Sequence, residues 1–428
     1  MTAFAYREGS LFCDEVDLVS VAAEVGTPYF VYSGRLLIET FVQFRRALKP
    51  LPGIICYALK ANGNLALLKI LVSLGCGADV VSGGELYRAL KAGFPPSHIV
   101  FAGVGKTEEE IRWAIDADIR QLNVESVPEL ELVNSTAQKL QRQARVALRL
   151  NPDVRADTHP YVATGRGDSK FGLDLAEAVS AYQRASTLPG IQVTGLHFHL
   201  GSQILSTAPY VEALKKIIPL MEELRRKGIM IRDLDIGGGL GISYNKEVAP
   251  SPEQWLAVVK DELQRLDYSV IIEPGRALMG PAGALVTRVL YLKKASTKNF
   301  IVVDAGMNDL VRPSLYGAMH QILPLREKTA PSIVADVVGP VCETADFLAR
   351  DREMVRPAAG DMLAVMKTGA YSASMSSNYN GRPRAAEVLV FGHRYAVIRK
   401  RESFEDMMAN ELIPGLALEA RLDSKKNG

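Results

Sequence analysis

The 428-residue sequence has few cysteines and almost no excess of charge of either sign. Its four cysteines (Cys13, Cys56, Cys76 and Cys342) include no C-x-x-C pair and follow no regular spacing. This argues against a zinc site or a disulfide framework and favours a reducing cytosol. Lysine plus arginine total 50 against 48 acidic residues, so the net charge of +2 gives no basic field for nucleic acid or an anionic membrane.

The sequence also lacks long apolar runs. None approaches the roughly 18 residues that a membrane-spanning helix needs, and the first residues lack the basic-then-apolar pattern of a signal peptide. We therefore expect a cytoplasmic protein without a membrane segment. What is present is 48% hydrophobic and 23% charged residues, a composition typical of a globular protein, in a chain long enough for two or three domains.

In the first two thirds of the chain, short apolar runs alternate with helical patterns. This alternation indicates βαβ units and a parallel sheet, and eight strands over about 225 residues fit a TIM-like (β/α)8 barrel. An open, doubly wound sheet is the alternative, which the spacing does not exclude. The predicted strands lie near 54–59, 78–82, 98–102, 120–124, 145–150, 193–199, 232–236 and 269–273, and helices are predicted at 64–74, 84–92, 107–116, 128–141 and 209–227.

The pattern changes after Pro281, where strand-like runs follow one another closely and helical periodicity is scarce until 403–411. This predicts a C-terminal antiparallel β domain, either a sandwich or a Greek-key barrel. We therefore expect an N-terminal segment 1–25 that pairs with the β domain, a barrel at 26–280 and a β domain at 281–428. The predicted strands of the last domain are 283–293, 299–304, 333–338, 362–366, 386–391 and 394–399.

Unusual residues follow the predicted barrel strands, at the end where this fold places its active sites. Lys60 directly follows one strand; partial burial would lower its pKa, so that a neutral amine can attack an aldehyde. The alternative is a lysine that only reaches solvent at the rim. Glycines 237–239 and the pair Gly275-Arg276 follow the last two strands, where backbone N–H groups and a guanidinium can hold a phosphate.

A carboxylate and two imidazoles complete this set. Glu273 ends the last strand, where it can contact a ring nitrogen or else pair with Arg276. His197 and His199 alternate on one face of another strand; one can stack on a flat ring, and a structural role in the core fits at least one of them. A lysine, a phosphate cradle, a carboxylate and a histidine together describe a pyridoxal 5'-phosphate site. We expect no metal.

Several motifs together resemble the alanine-racemase-like, fold-type III pyridoxal phosphate decarboxylases, which pair a barrel with a β domain. The match runs from about residue 5 to 420. A narrower resemblance, to the diaminopimelate decarboxylases of that family, rests on 312–316 (RPSLY), 339–346 (GPVCETAD) and 369–371 (GAY). The wider one rests on 57–62 (YALKAN), 82–86 (SGGEL), 151–153 (NPD), 169–172 (SKFG), 197–202 (HFHLGS), 237–239 (GGG) and 273–276 (EPGR).

The resemblance implies a role for each matching position. Lys60 is implied to be the Schiff-base lysine, His199 to stack on the pyridine ring, Glu273 to contact its nitrogen, and Cys342 to donate a proton after carbon dioxide leaves. The implied phosphate contacts are Ser202, Gly238, Gly239, Gly275, Arg276 and Tyr371. The implied substrate contacts are Arg276, Arg312, Tyr316, Glu343 and Tyr371.

The resemblance also implies a homodimer, in which the Cys342–Glu343 loop reaches the other subunit's site. The implied reaction converts meso-2,6-diaminopimelate to L-lysine and carbon dioxide, the last step of lysine biosynthesis. The substrate's distal carboxylate requires a cation, which Arg312 with Tyr316 can supply, and its distal ammonium requires an anion such as Glu343.

Two alternatives remain at this stage. The same fold can act on another substrate, such as carboxynorspermidine, arginine or an intermediate of a siderophore or antibiotic pathway. Alternatively, the chain can be a noncatalytic dimer that binds pyridoxal phosphate or a partner protein. The presence of Lys60, Cys342 and Glu343 argues against this last reading.

Overall fold

The computed structural model describes residues 3–155, 169–263 and 268–414. Within these ranges the strands form a small N-terminal sheet, a closed barrel and a larger mixed sheet. No helix of the described ranges is both long enough and apolar enough to span a bilayer.

The N-terminal segment forms a small antiparallel sheet that contacts the C-terminal part of the chain. The Leu11 N–H donates to the Leu325 carbonyl (2.8 Å), and the Tyr6 hydroxyl donates to that of Pro324 (2.6 Å). The fourth strand, although inside the range predicted for the barrel, pairs with strands of the larger sheet. The elements are β1 (Phe4–Arg7), β2 (Ser10–Cys13), β3 (Val16–Asp17), α1 (Leu18–Val25), β4 (Tyr29–Ser33) and α2 (Gly34–Leu48).

Eight parallel strands close into a barrel, which confirms the predicted fold over an open sheet. The ring closes where β13 (Ser269–Ile272) pairs with β5 (Gly53–Ala58) and where β8 (Gln121–Val124) pairs with β9 (Ala144–Asn151). The two-residue β10 pairs only with β9, outside the ring. In chain order the strands are β5 (Gly53–Ala58), β6 (Gly77–Val80), β7 (Ile99–Phe101), β8 (Gln121–Val124), β9 (Ala144–Asn151), β10 (Leu173–Asp174), β11 (Ile191–His197), β12 (Asp233–Asp235) and β13 (Ser269–Ile272).

Helices surround this barrel, and polar side chains fix where several of them begin. The Ser82 hydroxyl accepts from the Glu85 N–H, and Thr107 and Glu110 form a reciprocal capping box. Such caps keep the loops at the barrel mouth short. The helices are α3 (Leu65–Ser73), α4 (Gly83–Ala92), α5 (Glu108–Asp116), α6 (Val127–Lys139), α7 (Leu175–Thr187), α8 (Ala208–Arg226), α9 (Pro252–Leu263) and α10 (Arg276–Met279).

The C-terminal part is a mostly antiparallel sheet, as predicted. Two pairings are parallel instead: β15 (Asn299–Val303) pairs with β17 (Ser332–Val338), and β4 pairs with β20 (Ala386–Phe391). All six predicted strands are present, and in the described ranges the sheet has three more, β4, β16 and β18. The elements are β14 (Gly283–Lys294), β15 (Asn299–Val303), α11 (Arg312–Tyr316), β16 (Ile322–Pro324), β17 (Ser332–Val338), β18 (Phe347–Val355), β19 (Met362–Met366), β20 (Ala386–Phe391), β21 (Arg394–Arg399) and α12 (Phe404–Met408).

One buried apolar cluster connects the larger sheet to the barrel. Phe30 and Tyr32 of β4 belong to it, as do Phe41 and Phe44 of α2. The ring of Phe44 meets that of Trp255 edge-on at 6.4 Å. Each such fully buried apolar side chain contributes about 1.5–3 kcal/mol, so α2 stabilises the sheet against the barrel on which the site depends.

Candidate active site

The carboxyl ends of the barrel strands surround a cavity of about 350 Å³. Most of the predicted site residues line it, although they come from distant parts of the sequence. They are Lys60, His199, Ser202, Gly239, Glu273 and Gly275, joined by Arg276, Tyr316 and Tyr371.

Lys60 lies in a short 3-10 turn, Leu59–Ala61, directly after β5. Its Nζ is 3.1 Å from Oδ2 of Asp79, a fully buried carboxylate on β6, and its own side chain is 36% exposed. Burial lowers the pKa of the Lys60 amine, but the Asp79 carboxylate outweighs this effect and the pKa is raised. The lowered pKa expected from burial is therefore wrong for this state, because the sequence did not reveal the buried partner.

A buried cluster lies beside the amine, where Glu273, His197 of β11 and Asp235 of β12 bring their polar atoms within 4.8 Å of one another. Burial and the nearby Glu273 raise the pKa of Asp235 well above its usual range. Burial also opposes the Glu273 charge, but His197 and Lys60 favour it and the pKa of Glu273 is lowered. Asp235 therefore holds a proton more readily than Glu273 does, because two adjacent buried carboxylates do not both ionise.

Glu273 keeps one oxygen available. Among the described residues its Oε1 has no hydrogen-bond partner, and its Oε2 lies 3.7 Å from Nε2 of His197. Burial lowers the pKa of His197, and the adjacent Glu273 opposes this shift. A buried, ionised carboxylate with an unused oxygen at a cavity is an acceptor for a cationic N–H.

His199 and the glycine run form the next side of the site. The His199 Nδ1 accepts from the Gly238 N–H at 3.1 Å, and burial lowers its pKa well below the usual range, so the ring is neutral. A Cβ at position 238 would lie 2.1 Å from the Glu273 carbonyl oxygen, and one at 239 would lie 2.3 Å from that of Gly201. Gly239 also has φ +97°. Only glycine fits here, and it exposes the backbone to a ligand.

Arg276 provides the positive charge of this side. Its guanidinium donates to the hydroxyls of Ser202 and Tyr244, each at 2.9 Å, and lies 4.8 Å from the ring centroid of Tyr371. It forms no ion pair with a carboxylate in the described ranges, so the alternative pairing with Glu273 is not observed. A buried guanidinium among hydroxyls and glycine N–H groups has the donor set that a phosphate requires.

Arg312 is buried at the start of α11, and it does not line the cavity, although Tyr316 one turn later does. Its Nη1 lies 2.8 Å from Nε2 of His320, and its guanidinium lies 4.5 Å from the ring centroid of Tyr244. Within the described ranges no salt bridge joins it to a carboxylate. No carboxylate of the described residues therefore compensates its charge.

Cys342 and Glu343 lie elsewhere, on the exposed loop between β17 and β18. The Cys342 N–H donates to Oδ1 of Asn380 at 2.6 Å. Neither residue lines the cavity of its own chain. The structure of one chain therefore does not bring them together with Lys60.

Comparison with known proteins identifies the family. A family model described as the pyridoxal-binding domain of pyridoxal-dependent decarboxylases matches residues 35–280. The chain belongs to the pyridoxal-dependent decarboxylases. A relative from Aquifex aeolicus (strain VF5), named diaminopimelate decarboxylase, is 52% identical to this decarboxylase over 94% of this chain and 95% of its own.

Two solved structures of that name resemble this decarboxylase over nearly their full length. The Helicobacter pylori enzyme complexed with L-lysine is 41% identical, covers 92% of this chain and 99% of its own, and superposes with a TM-score of 0.90. The M. jannaschii enzyme in co-complex with L-lysine is 38% identical, covers 97% and 99%, and has a TM-score of 0.92.

The cofactor of this decarboxylase is pyridoxal phosphate, and the residues present fit it. Three observations support the fit. Oε1 of Glu273 has no hydrogen-bond partner among the described residues, and a Cβ at position 238 or 239 would collide with a backbone oxygen, so the glycine backbone is left open to a ligand. The amine of Lys60 lies at the same cavity. Reasoning from sequence missed the polar residues that support these groups. They are Asp79 and Asp235, and the signal for Asp79 was a charge inside an otherwise apolar strand.

Buried histidines make the fold of this decarboxylase sensitive to acid. Burial and the adjacent Arg312 lower the pKa of His320 to about 3. Between this pH and the ordinary value near 6.5, the unfolded chain binds a proton that the folded chain excludes. The contribution of His320 to the free energy of unfolding is thus complete above pH 6.5 and is lost as the pH falls towards 3. Urea unfolding should show that His320 alone costs about 2 kcal/mol between pH 7 and pH 5.

The variant His320→Gln, which cannot titrate, should lose that part of the pH dependence. His393, an exposed histidine, supplies the matched control His393→Gln. An equal slope of unfolding free energy against pH in all three proteins would contradict the assignment.

Proposed function

We propose that this decarboxylase removes the D-centre carboxylate of meso-2,6-diaminopimelate and releases L-lysine. The observation that carries the proposal is the buried Arg312 guanidinium, which has no carboxylate partner in the described chain and lies one helical turn from cavity-lining Tyr316. A ligand with a second carboxylate would pair with it. Relatives named diaminopimelate decarboxylase, two of them complexed with L-lysine, agree with this substrate class.

Three groups act on the cofactor in this proposal. Lys60 would hold its aldehyde through the amine, His199 would pack a neutral imidazole against its ring, and Glu273 would accept a hydrogen bond from its ring nitrogen. Pyridoxal phosphate, when bound, supplies an electron-withdrawing ring that takes up the electron pair left on the substrate carbon when carbon dioxide departs. The residues proposed to hold its phosphate are Ser202, Gly238, Gly239, Gly275, Arg276 and Tyr371.

Lys60 must lose a proton before its amine can bond to a carbonyl carbon. Asp79 is placed to take it, because Oδ2 lies 3.1 Å from Nζ. Burial and the nearby Glu273 raise the pKa of Asp79, which makes this carboxylate a better proton acceptor than an ordinary aspartate. We therefore assign Asp79 to proton exchange with Lys60.

Substrate selection depends on the distal end of the ligand. In our proposal Arg312 and Tyr316 bind the distal carboxylate, Glu343 binds the distal ammonium, and Arg276 with Tyr371 contact the ligand beside the cofactor. Ornithine lacks the second carboxylate and would leave Arg312 buried and unpaired. A site built around such a contact rejects the analogue by about 10⁴–10⁵-fold.

The test is a product assay with purified protein and pyridoxal phosphate. We expect one lysine and one carbon dioxide for each meso-diaminopimelate consumed, with kcat/KM exceeding that for ornithine by about 10⁴-fold or more. The LL isomer, which has no D-centre, should not react. Comparable rates on ornithine and meso-diaminopimelate would reject the proposal and favour another substrate of the same fold.

We also propose a homodimer in which Cys342 and Glu343 complete the partner's site. The support is that both residues are exposed on a loop that does not line the cavity of their own chain. The distal end of the proposed substrate also requires both a cation and an anion, and Glu343 would be the anion. Cys342 would deliver the proton that replaces the lost carboxylate, since its thiol is a proton donor.

Mixing two inactive variants tests the shared site. Co-expression of the variants Lys60→Ala and Cys342→Ala should restore about a quarter of the native activity, because half of the random dimers carry one intact site of two. The matched control replaces the second chain with the double variant K60A/C342A, which leaves no intact site. If the mixture of Lys60→Ala and Cys342→Ala were as inactive as either variant alone, each chain would use its own loop.

Two coarser assignments complete the proposal. We propose that the chain divides into a segment 1–25, a barrel domain 26–280 that contributes β4 to the larger sheet, and a β domain 281–428. A 3-10 turn, Gly280–Ala282, separates the last barrel helix from β14. We also propose that the protein works in the cytoplasm, since all four cysteines are free thiols.

A further inference from the structure

His320 controls the orientation of Arg312. The imidazole is fully buried, and its Nδ1 lies 2.8 Å from the Met366 carbonyl oxygen, which can only accept. Nδ1 therefore carries the hydrogen and donates it. The tautomer leaves a lone pair on Nε2, which accepts from Nη1 of Arg312 at 2.8 Å.

Tyr244 supports the same guanidinium from another direction. The ring of His320 meets the ring of Tyr244 edge-on, with centroids 4.9 Å apart, and the Arg312 guanidinium lies 4.5 Å from the Tyr244 centroid. The Tyr244 hydroxyl accepts from Arg276 at 2.9 Å. Tyr244 thus contacts both Arg276, which is proposed to hold the phosphate, and Arg312, which is proposed to bind the substrate, and it fixes their separation.

The chemistry of these partners matters as much as their positions. A neutral imidazole and an aromatic face hold Arg312 without cancelling its charge, whereas an aspartate or glutamate in either place would neutralise it. Burial and Arg312 itself keep the pKa of His320 near 3, so this ring does not become a second cation. The Nε atom of Arg312 has no partner within the described ranges.

We propose that His320 is a positioning residue for substrate selection, because its neutral ring, anchored on Met366 and packed on Tyr244, orients Arg312 towards the ligand's distal carboxylate. This inference rests on the proposed function. His320 increases the affinity for a carboxylate through Arg312, and it contacts neither the cofactor nor the reacting carbon.

Two variants of similar size test it. His320→Leu removes the acceptor, whereas His320→Gln keeps an oxygen that can accept from Arg312. For His320→Leu we expect KM for meso-diaminopimelate to rise about 10- to 100-fold while kcat changes little, because a hydrogen bond to a charged group is lost from a binding contact. His320→Gln should recover most of the affinity.

Ligand binding to the cofactor-loaded protein, followed by cofactor absorbance, separates this role from general damage. L-lysine carries the distal carboxylate and 1,5-diaminopentane does not. His320→Leu should weaken L-lysine about 10- to 100-fold and leave 1,5-diaminopentane unchanged. Equal weakening of both ligands, no weakening of L-lysine, or no recovery in His320→Gln would overturn the inference.

The two proposals can fail separately. If the native protein releases no carbon dioxide from meso-diaminopimelate, the proposed function fails, while the binding comparison still reports whether His320 orients a carboxylate site. If the native protein decarboxylates this substrate and His320→Leu matches it in KM and in affinity for L-lysine, only the inference about His320 fails.

Discussion

Replacing Lys60 with alanine should reduce decarboxylation by about 10³-fold or more and remove the absorbance band of a lysine-bound cofactor. Lys60 provides the amine of the described cavity lining, and its Nζ is held 3.1 Å from the buried Asp79 carboxylate. The variant loses both the covalent attachment and the group that exchanges protons at that position. Steady-state rates and an absorbance spectrum of the reconstituted protein measure the two effects.

Lys69 supplies the matched control, because it lies on α3 of the same part of the barrel and its side chain is exposed. Lys69→Ala should keep both the absorbance band and the rate. If Lys60→Ala kept the band, another amine would carry the cofactor and the barrel-mouth site would be incorrectly assigned.

Replacing Arg312 with alanine should remove most of the preference for a substrate with two carboxylates. In the native protein we expect kcat/KM for meso-diaminopimelate to exceed that for ornithine by about 10⁴–10⁵-fold, because ornithine leaves a buried guanidinium unpaired. Without the guanidinium, that penalty disappears for ornithine and the attraction disappears for meso-diaminopimelate. The ratio should therefore fall by about 10³-fold or more, measured as kcat/KM for both substrates.

Two further variants sharpen this result. Arg312→Lys keeps the charge but loses the planar fork that matches a carboxylate, so it should recover only part of the ratio. Arg394 is an exposed arginine on β21, and Arg394→Ala should leave the ratio unchanged. An unchanged ratio in Arg312→Ala would place the distal carboxylate elsewhere.

The barrel was predictable because its parallel strands are covered on both faces and read as short apolar runs. The strand ends were predictable for the same reason, since a lysine, a glycine run or a glutamate directly follows such a run. The motifs then assigned roles to these ends. In the larger sheet, β18 was missed because its central residues, 350–353, are all charged.

Other features depend on contacts between distant residues and could not be read from local patterns. The parallel pairing of β4 with β20 joins residues more than 350 positions apart. The raised pKa of Lys60 depends on Asp79, which lies on the neighbouring strand. The role of His320 depends on the Met366 carbonyl and the Tyr244 ring, neither of which is near it in sequence.

Chemical trapping tests most directly whether the amine at the barrel mouth carries the cofactor. The reconstituted protein is treated with borohydride, digested and mapped by mass spectrometry, which locates the lysine bonded to the pyridoxyl group. We predict the label on the peptide that contains Lys60, at one group per chain. A label on another lysine, or a fully loaded protein with no labelled lysine, would contradict the account.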